Sequence, residues 1–92
     1  MTTEGTASVK VPDGKLVRVA ATYDEQFRDV TITGDFFLEP PGALADLETA
    51  IEGEPVDASR EQLVAAIEAV DARLIGFTAT DLADAALEVV ET

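Results

Sequence analysis

Between Thr31 and Leu44 the spacing of apolar residues changes, and that change limits the folds open to this chain. Upstream, apolar and polar residues alternate, as on a strand with one buried face; downstream, apolar residues recur at helical intervals. The stretch reads Thr-Ile-Thr-Gly-Asp-Phe-Phe-Leu-Glu-Pro-Pro-Gly-Ala-Leu and holds two of the four phenylalanines. Gly34 can adopt a positive φ, Asp35 can hydrogen-bond nearby backbone, and Pro40 and Pro41 suit the first turn of a helix. A strand should end here and a helix begin.

Upstream, Thr2 to Ala7 is small and polar, and residues 1–7 are expected to be a flexible end. Ser8 to Val11 reads as a first strand, Pro12-Asp13-Gly14 as a turn, and Lys15 to Tyr23 as a second strand with Val17, Val19, Ala21 and Tyr23 on one face. Asp24-Glu25-Gln26 turns the chain into a third strand, Phe27 to Thr33, with Val30 and Ile32 on its apolar face. Downstream, Leu44, Leu47 and Ile51 predict a helix from about Pro41 to Glu52, ended by Gly53. Ser59 with Gln62 is a capping-box pattern, and the stripe Leu63, Ile67, Val70 and Leu74 predicts a second helix running to Gly76-Phe77. Thr78 with Asp81 caps a third, striped by Leu82, Ala86, Val89 and Val90. The expectation is one α+β domain over residues 1–92: a three-stranded antiparallel sheet followed by three helices on one face, βββααα. Three helices exceed what a small sheet needs, which would leave apolar helix surface for a partner.

Charge excludes several functions. With 19 acidic residues against 6 basic ones the net charge is −13, so phosphate backbones and anionic membranes are repelled. The acids are spread along the chain and lysines number two, Lys10 and Lys15, a surface like that of proteins from salt-loving organisms. No apolar run approaches the ~20 residues that span a bilayer, and the start carries no secretory pattern; a cytoplasmic protein is expected.

Chemistry is equally constrained. The chain has no cysteine and no histidine, so it offers no disulfide, thiolate site or thiol nucleophile, and acid–base work would fall to carboxylates, Tyr23 or the lysines. Glu48 with Glu52, and Asp81 with Asp84, could share a cation or a proton on a helix, although a solvated acidic face explains both pairs better. Ser8 and Ser59 have no base to activate them, and Ser59 serves as a helix cap. No glycine-rich phosphate loop is present, nor the Asp-Ser-Leu of a phosphopantetheine carrier. A lipoyl or biotinyl acceptor would carry a lysine at a hairpin tip in an all-β sequence, whereas Lys15 opens a strand in a chain with a helical second half. What remains is Phe36 and Phe37: either both pack in the core, or one points inward and its neighbour stands on the surface as an anchor for another protein.

Gly14-Lys15-Leu16-Val17-Arg18-Val19, Ile32-Thr33-Gly34-Asp35-Phe36-Phe37, Leu44-Ala45-Asp46-Leu47-Glu48 to Gly53, and Leu74-Ile75-Gly76-Phe77 to Leu82 together resemble the C-terminal accessory domain of lipoate–protein ligases. The similarity runs from about Val9 to Val90, and Gly-Asp-Phe-Phe after a strand is its most specific part. Where many relatives carry a glycine in the second turn, this chain has Asp24-Glu25-Gln26. Standing by itself, the domain is expected to resemble that of split archaeal ligases, where it is a separate small subunit. The resemblance implies a fold related to iron–sulfur scaffold proteins, without their cysteines. It also implies a large catalytic subunit as partner, which binds ATP, Mg and lipoate, makes lipoyl-adenylate and serves lipoyl-acceptor proteins. This chain would bind no cofactor or metal alone and supply no catalytic residue; its candidate partner interface is Gly34, Asp35, Phe36, Phe37, Lys15 and Arg18. The alternative is a stand-alone binding or scaffold module of the same fold, with no role in lipoylation.

Overall fold

The structure, a computed structural model, describes residues 2–11 and 16–91; the expected turn at Pro12-Asp13-Gly14 and the interface candidate Lys15 lie outside them. Strands β1 (Thr3–Lys10), β2 (Leu16–Tyr23) and β3 (Phe27–Gly34) form an antiparallel sheet in sequence order. The two-residue period holds: Val17, Val19, Ala21, Val30 and Ile32 are buried on one face, while Arg18, Thr31 and Thr33 face solvent. The expected fraying of residues 1–7 is not what Thr3 to Ala7 do. They extend β1 and pair with β2 from Thr3 opposite Tyr23 onward. Gly5 shows why a small residue stands there: a Cβ on it would lie 2.7 Å from the carbonyl oxygen of Val89, so the bare backbone lets a helix approach closely.

The second turn needs no glycine. The Gln26 N–H donates to Asp24 Oδ1 at 3.1 Å and the Asp24 N–H to the Gln26 carbonyl at 3.0 Å, closing the turn without a positive φ at any of its three residues. A bulge between Thr22 and Tyr23 follows, which lets both Phe27 and Val30 point into the core three residues apart.

Helices α1 (Ala43–Ile51), α2 (Arg60–Glu68) and α3 (Ala79–Glu91) supply the second layer. Their caps agree with the sequence. Ser59 Oγ accepts from the Gln62 N–H, and Thr78 and Asp81 cap each other reciprocally at 3.2 and 3.0 Å. Leu82, Ala83, Ala85, Ala86 and Val89 are fully buried where α3 lies over β1 and β2, whereas α1 flanks β3 and α2 packs on the other two helices. Helix α2 is shorter than its stripe suggests. It ends at Glu68, and Arg73–Ile75 is a strand, β5, paired antiparallel with β4 (Phe37–Glu39) in a two-stranded ribbon. Leu74 falls at helical spacing from Leu63, yet it packs on the core from a strand, where the backbone of Arg73–Ile75 pairs with that of β4.

The outer edge of β3 is closed by α1 and the segment after it. The Val30 N–H donates to Glu52 Oε2 at 3.0 Å and the Ile32 N–H to Glu48 Oε2 at 2.9 Å, so two carboxylates take the place of a neighbouring strand. Further along, Phe27 N–H donates to the Glu54 carbonyl and Gly53 N–H to the Phe27 carbonyl, and Val56 N–H donates to the Glu25 carbonyl. Gly53, at φ 89°, makes the reversal that brings this segment back to β3.

Replacing Glu48 or Glu52 with Ala should each cost about 1 kcal/mol, since a partly buried N–H loses its acceptor, and should speed amide exchange at Ile32 or Val30 respectively. Gln, which keeps an acceptor, should cost less. Unchanged exchange at both amides would exclude the edge-capping role. The Arg28 guanidinium, 3.0 Å from Asp24, together with the Gln26 N–H, holds the Asp24 carboxyl below its ordinary value. The contribution of this pair is therefore present above the unfolded carboxylate range and fades as pH falls through the lowered folded value. In an NMR titration, Arg28→Ala should move the Asp24 midpoint upward; an unmoved midpoint would assign the shift to the turn alone.

Candidate functional site

The link from β3 to α1 is shaped by a close approach at Gly34. The Asp35 N–H donates to the Leu16 carbonyl at 3.0 Å, and a side chain on Gly34, whose φ is 154°, would run into that same carbonyl oxygen. It would also meet the Phe36 ring at 2.9 Å. Only a residue without Cβ lets the chain pass β2 here and fold the Phe36 ring back over its own backbone. Phe36 is half-buried and packs on the buried Phe77, with ring centroids 4.4 Å apart at 45°, a tilted pair.

The next residue points the other way. Phe37 opens β4 and is 70% exposed, and opposite it on β5 stands Ile75, 37% exposed. These are the two large apolar side chains left exposed among the described residues. Leu38 and Leu74, also paired across the ribbon, turn inward to the core, so each strand of the ribbon has one face on the protein and one in solvent. Glu39 and Arg73, again opposite each other, lie on the outer face beside the apolar pair. A wide depression of about 600 Å³ lined by Glu39, Pro40, Asp71, Ala72 and Arg73 borders it. The surplus apolar surface expected on the helices thus lies on the ribbon. Ile75 and Arg73 escape the sequence reading because the stripe ending at Leu74 places them on a helix, and Arg-Leu-Ile is too short and too apolar to show the two-residue period of a strand.

The other interface candidates divide. Gly34, Asp35 and Phe36 are brought together at the turn, Phe36 as packing and Gly34 as the point of close approach. Arg18 lies on the solvent face of β2, opposite Thr33, and its Nε donates to Ser8 Oγ on β1 at 3.3 Å, which turns it toward β1.

The chain matches, over 94% of its own length and 94% of the other's, a chain from the structural analysis of an archaeal lipoylation system, a bi-partite lipoate protein ligase and its E2 lipoyl domain from Thermoplasma acidophilum. The TM-score is 0.69 and the identity 22%. The two chains share a fold. No family model and no curated protein sequence matches this chain.

The acidic pairs are engaged by the fold. Glu48 and Glu52 cap the edge of β3; Asp81 caps α3, and Asp84 forms an ion pair with Arg60 at 2.8 Å. Neither the shared cation nor the merely solvated face describes Glu48 and Glu52. Among the described residues no group of three or more Asp and Glu is placed to hold a metal ion, and no helix is long and apolar enough to cross a membrane.

Adjacent phenylalanines in opposite environments should respond differently to truncation. Phe36→Ala should lower stability by about 2 kcal/mol through loss of the Phe77 contact, whereas Phe37→Ala should leave it within about 0.5 kcal/mol. Equal losses in denaturant titrations would return both rings to the core.

Proposed function

We propose that this chain is the accessory subunit of a lipoate–protein ligase and works with a separate catalytic subunit in protein lipoylation. The observation that carries the reading is the near end-to-end fold match to a chain of a bipartite ligase system. That system also contains a lipoyl domain, but an acceptor of that kind is all-β, and this chain has three helices in its core. The resemblance around Gly34-Asp35-Phe36-Phe37 points the same way.

In this reading ATP, Mg and lipoate bind to the catalytic subunit, which forms lipoyl-adenylate and passes lipoate to an acceptor lysine. The accessory chain contributes closure: docked over the catalytic site, it excludes water from a hydrolysable adenylate and holds the active arrangement. Phe37 and Ile75 provide the apolar centre of the docking surface, with Arg73 and Glu39 at its rim. The high acidity is salt adaptation, and the protein works in the cytoplasm.

The test is lipoyl-adenylate formation by the catalytic subunit in high salt, with and without this chain. Adenylate should accumulate only with both present, and the pair Phe37→Ala with Ile75→Ala should weaken the complex by about 2 kcal/mol while the chain stays folded. A catalytic subunit that forms adenylate equally well alone would refute the role.

A further inference from the structure

The two edges of the three-stranded sheet are treated differently. That of β3 is closed by Glu48, Glu52 and the segment after α1. That of β1 is protected only by two exposed charges, Glu4 and Lys10: Thr3–Lys10 contains no proline, its pairing with β2 runs without a bulge, and no charged side chain points to the core face. The direction of its backbone groups follows from the ladder. Val30 and Ile32 turn their N–H groups outward to the glutamates, so their β2 partners Ala21 and Val19 direct theirs toward β1, at Gly5 and Ala7. The alternate residues Glu4, Thr6, Ser8 and Lys10 therefore point their N–H and carbonyl groups away from the sheet. Among the described residues no backbone hydrogen bond reaches those groups.

We infer that this edge pairs with the same edge of a second copy of the chain, joining two sheets into one of six strands. The strand is self-complementary in one antiparallel register. With Ala7 facing Ala7 of the second copy, Glu4 of each strand lies opposite Lys10 of the other and Thr6 opposite Ser8, all four on the solvent face. In that register every outward-pointing residue meets another outward-pointing residue, which is the condition for hydrogen-bonded pairs. Moving the register by two residues in either direction keeps the backbone bonds but separates Glu4 from Lys10. The buried faces, with Ala7 on each side, also align, so the helices of both copies lie on the same side of the joined sheet. Backbone pairing supplies the affinity and the exposed charges choose the register, since such pairs are individually weak. Net charge of −13 opposes association at low ionic strength, so the dimer forms when salt screens it. The edge lies across the sheet from β3 and the ribbon that follows, leaving Phe37 and Ile75 free.

Sedimentation and light scattering on the full chain, over a range of KCl and protein concentrations and compared at the lowest salt that supports association, test the pairing. The wild type should be a dimer. Thr6→Pro removes an outward N–H that takes no part in the β1–β2 ladder, and should give a folded monomer whose melting temperature, unlike that of the wild type, does not vary with protein concentration. Lys10→Glu, which keeps the backbone intact, should weaken association by about tenfold by placing like charges opposite each other, and adding Glu4→Lys should restore it. A monomeric wild type overturns the inference, and so does a dimer indifferent to Lys10→Glu.

Discussion

The outer edge of β3 sets the terms for the rest of the molecule. A strand that ends a sheet exposes a row of backbone donors, and those at Val30 and Ile32 stand over buried side chains, where an unpaired N–H is costly. Glu48 meets one from the last turn of α1 and Glu52 the other from the residue that caps it, and this fixes the rotation of the helix about its axis. With that rotation set, Ala43, Leu47 and Ile51 face the core. The residues after α1 then continue along the same edge through the main chain. The chain is acidic enough that two glutamates on a helix look like solvated charge, yet their spacing matches that of alternate strand residues, and the sheet uses it.

Fixing α1 also fixes the path into it. Between Gly34 and Ala43 the chain must cross from the end of β3 to the start of a helix already held at the edge. Gly34 permits the turn past Leu16, Phe36 anchors it on Phe77, and β4 runs out to meet β5. One face of that ribbon is spent on Leu38 and Leu74. The other is exposed because none of the described residues covers it, which is why the surface suited to a partner appears on strands and not on the helices.

The sequence carried the alternation of Val17, Val19, Ala21, Val30 and Ile32, the caps at Ser59 and Thr78, and the stop at Gly53, and each corresponds to a structural feature within a few residues of itself. It misled at Thr3 to Ala7, whose small side chains say nothing of the helix carbonyl that packs against Gly5, and at Leu74, where one residue satisfies both a helical stripe and a strand. At Phe36 and Phe37 it offered two arrangements. Choosing between them required knowing that β4 has a partner.

By itself the sequence determined the order of strand-forming and helix-forming segments, the apolar face of each, and the lack of any thiol or imidazole chemistry, because these depend on residue type and local spacing. The tertiary structure alone decided which edge of the sheet is closed, where the second helix stops, and which phenylalanine faces solvent. Those outcomes turn on satisfying backbone groups with partners distant in the chain, and no local pattern records where a distant partner will lie.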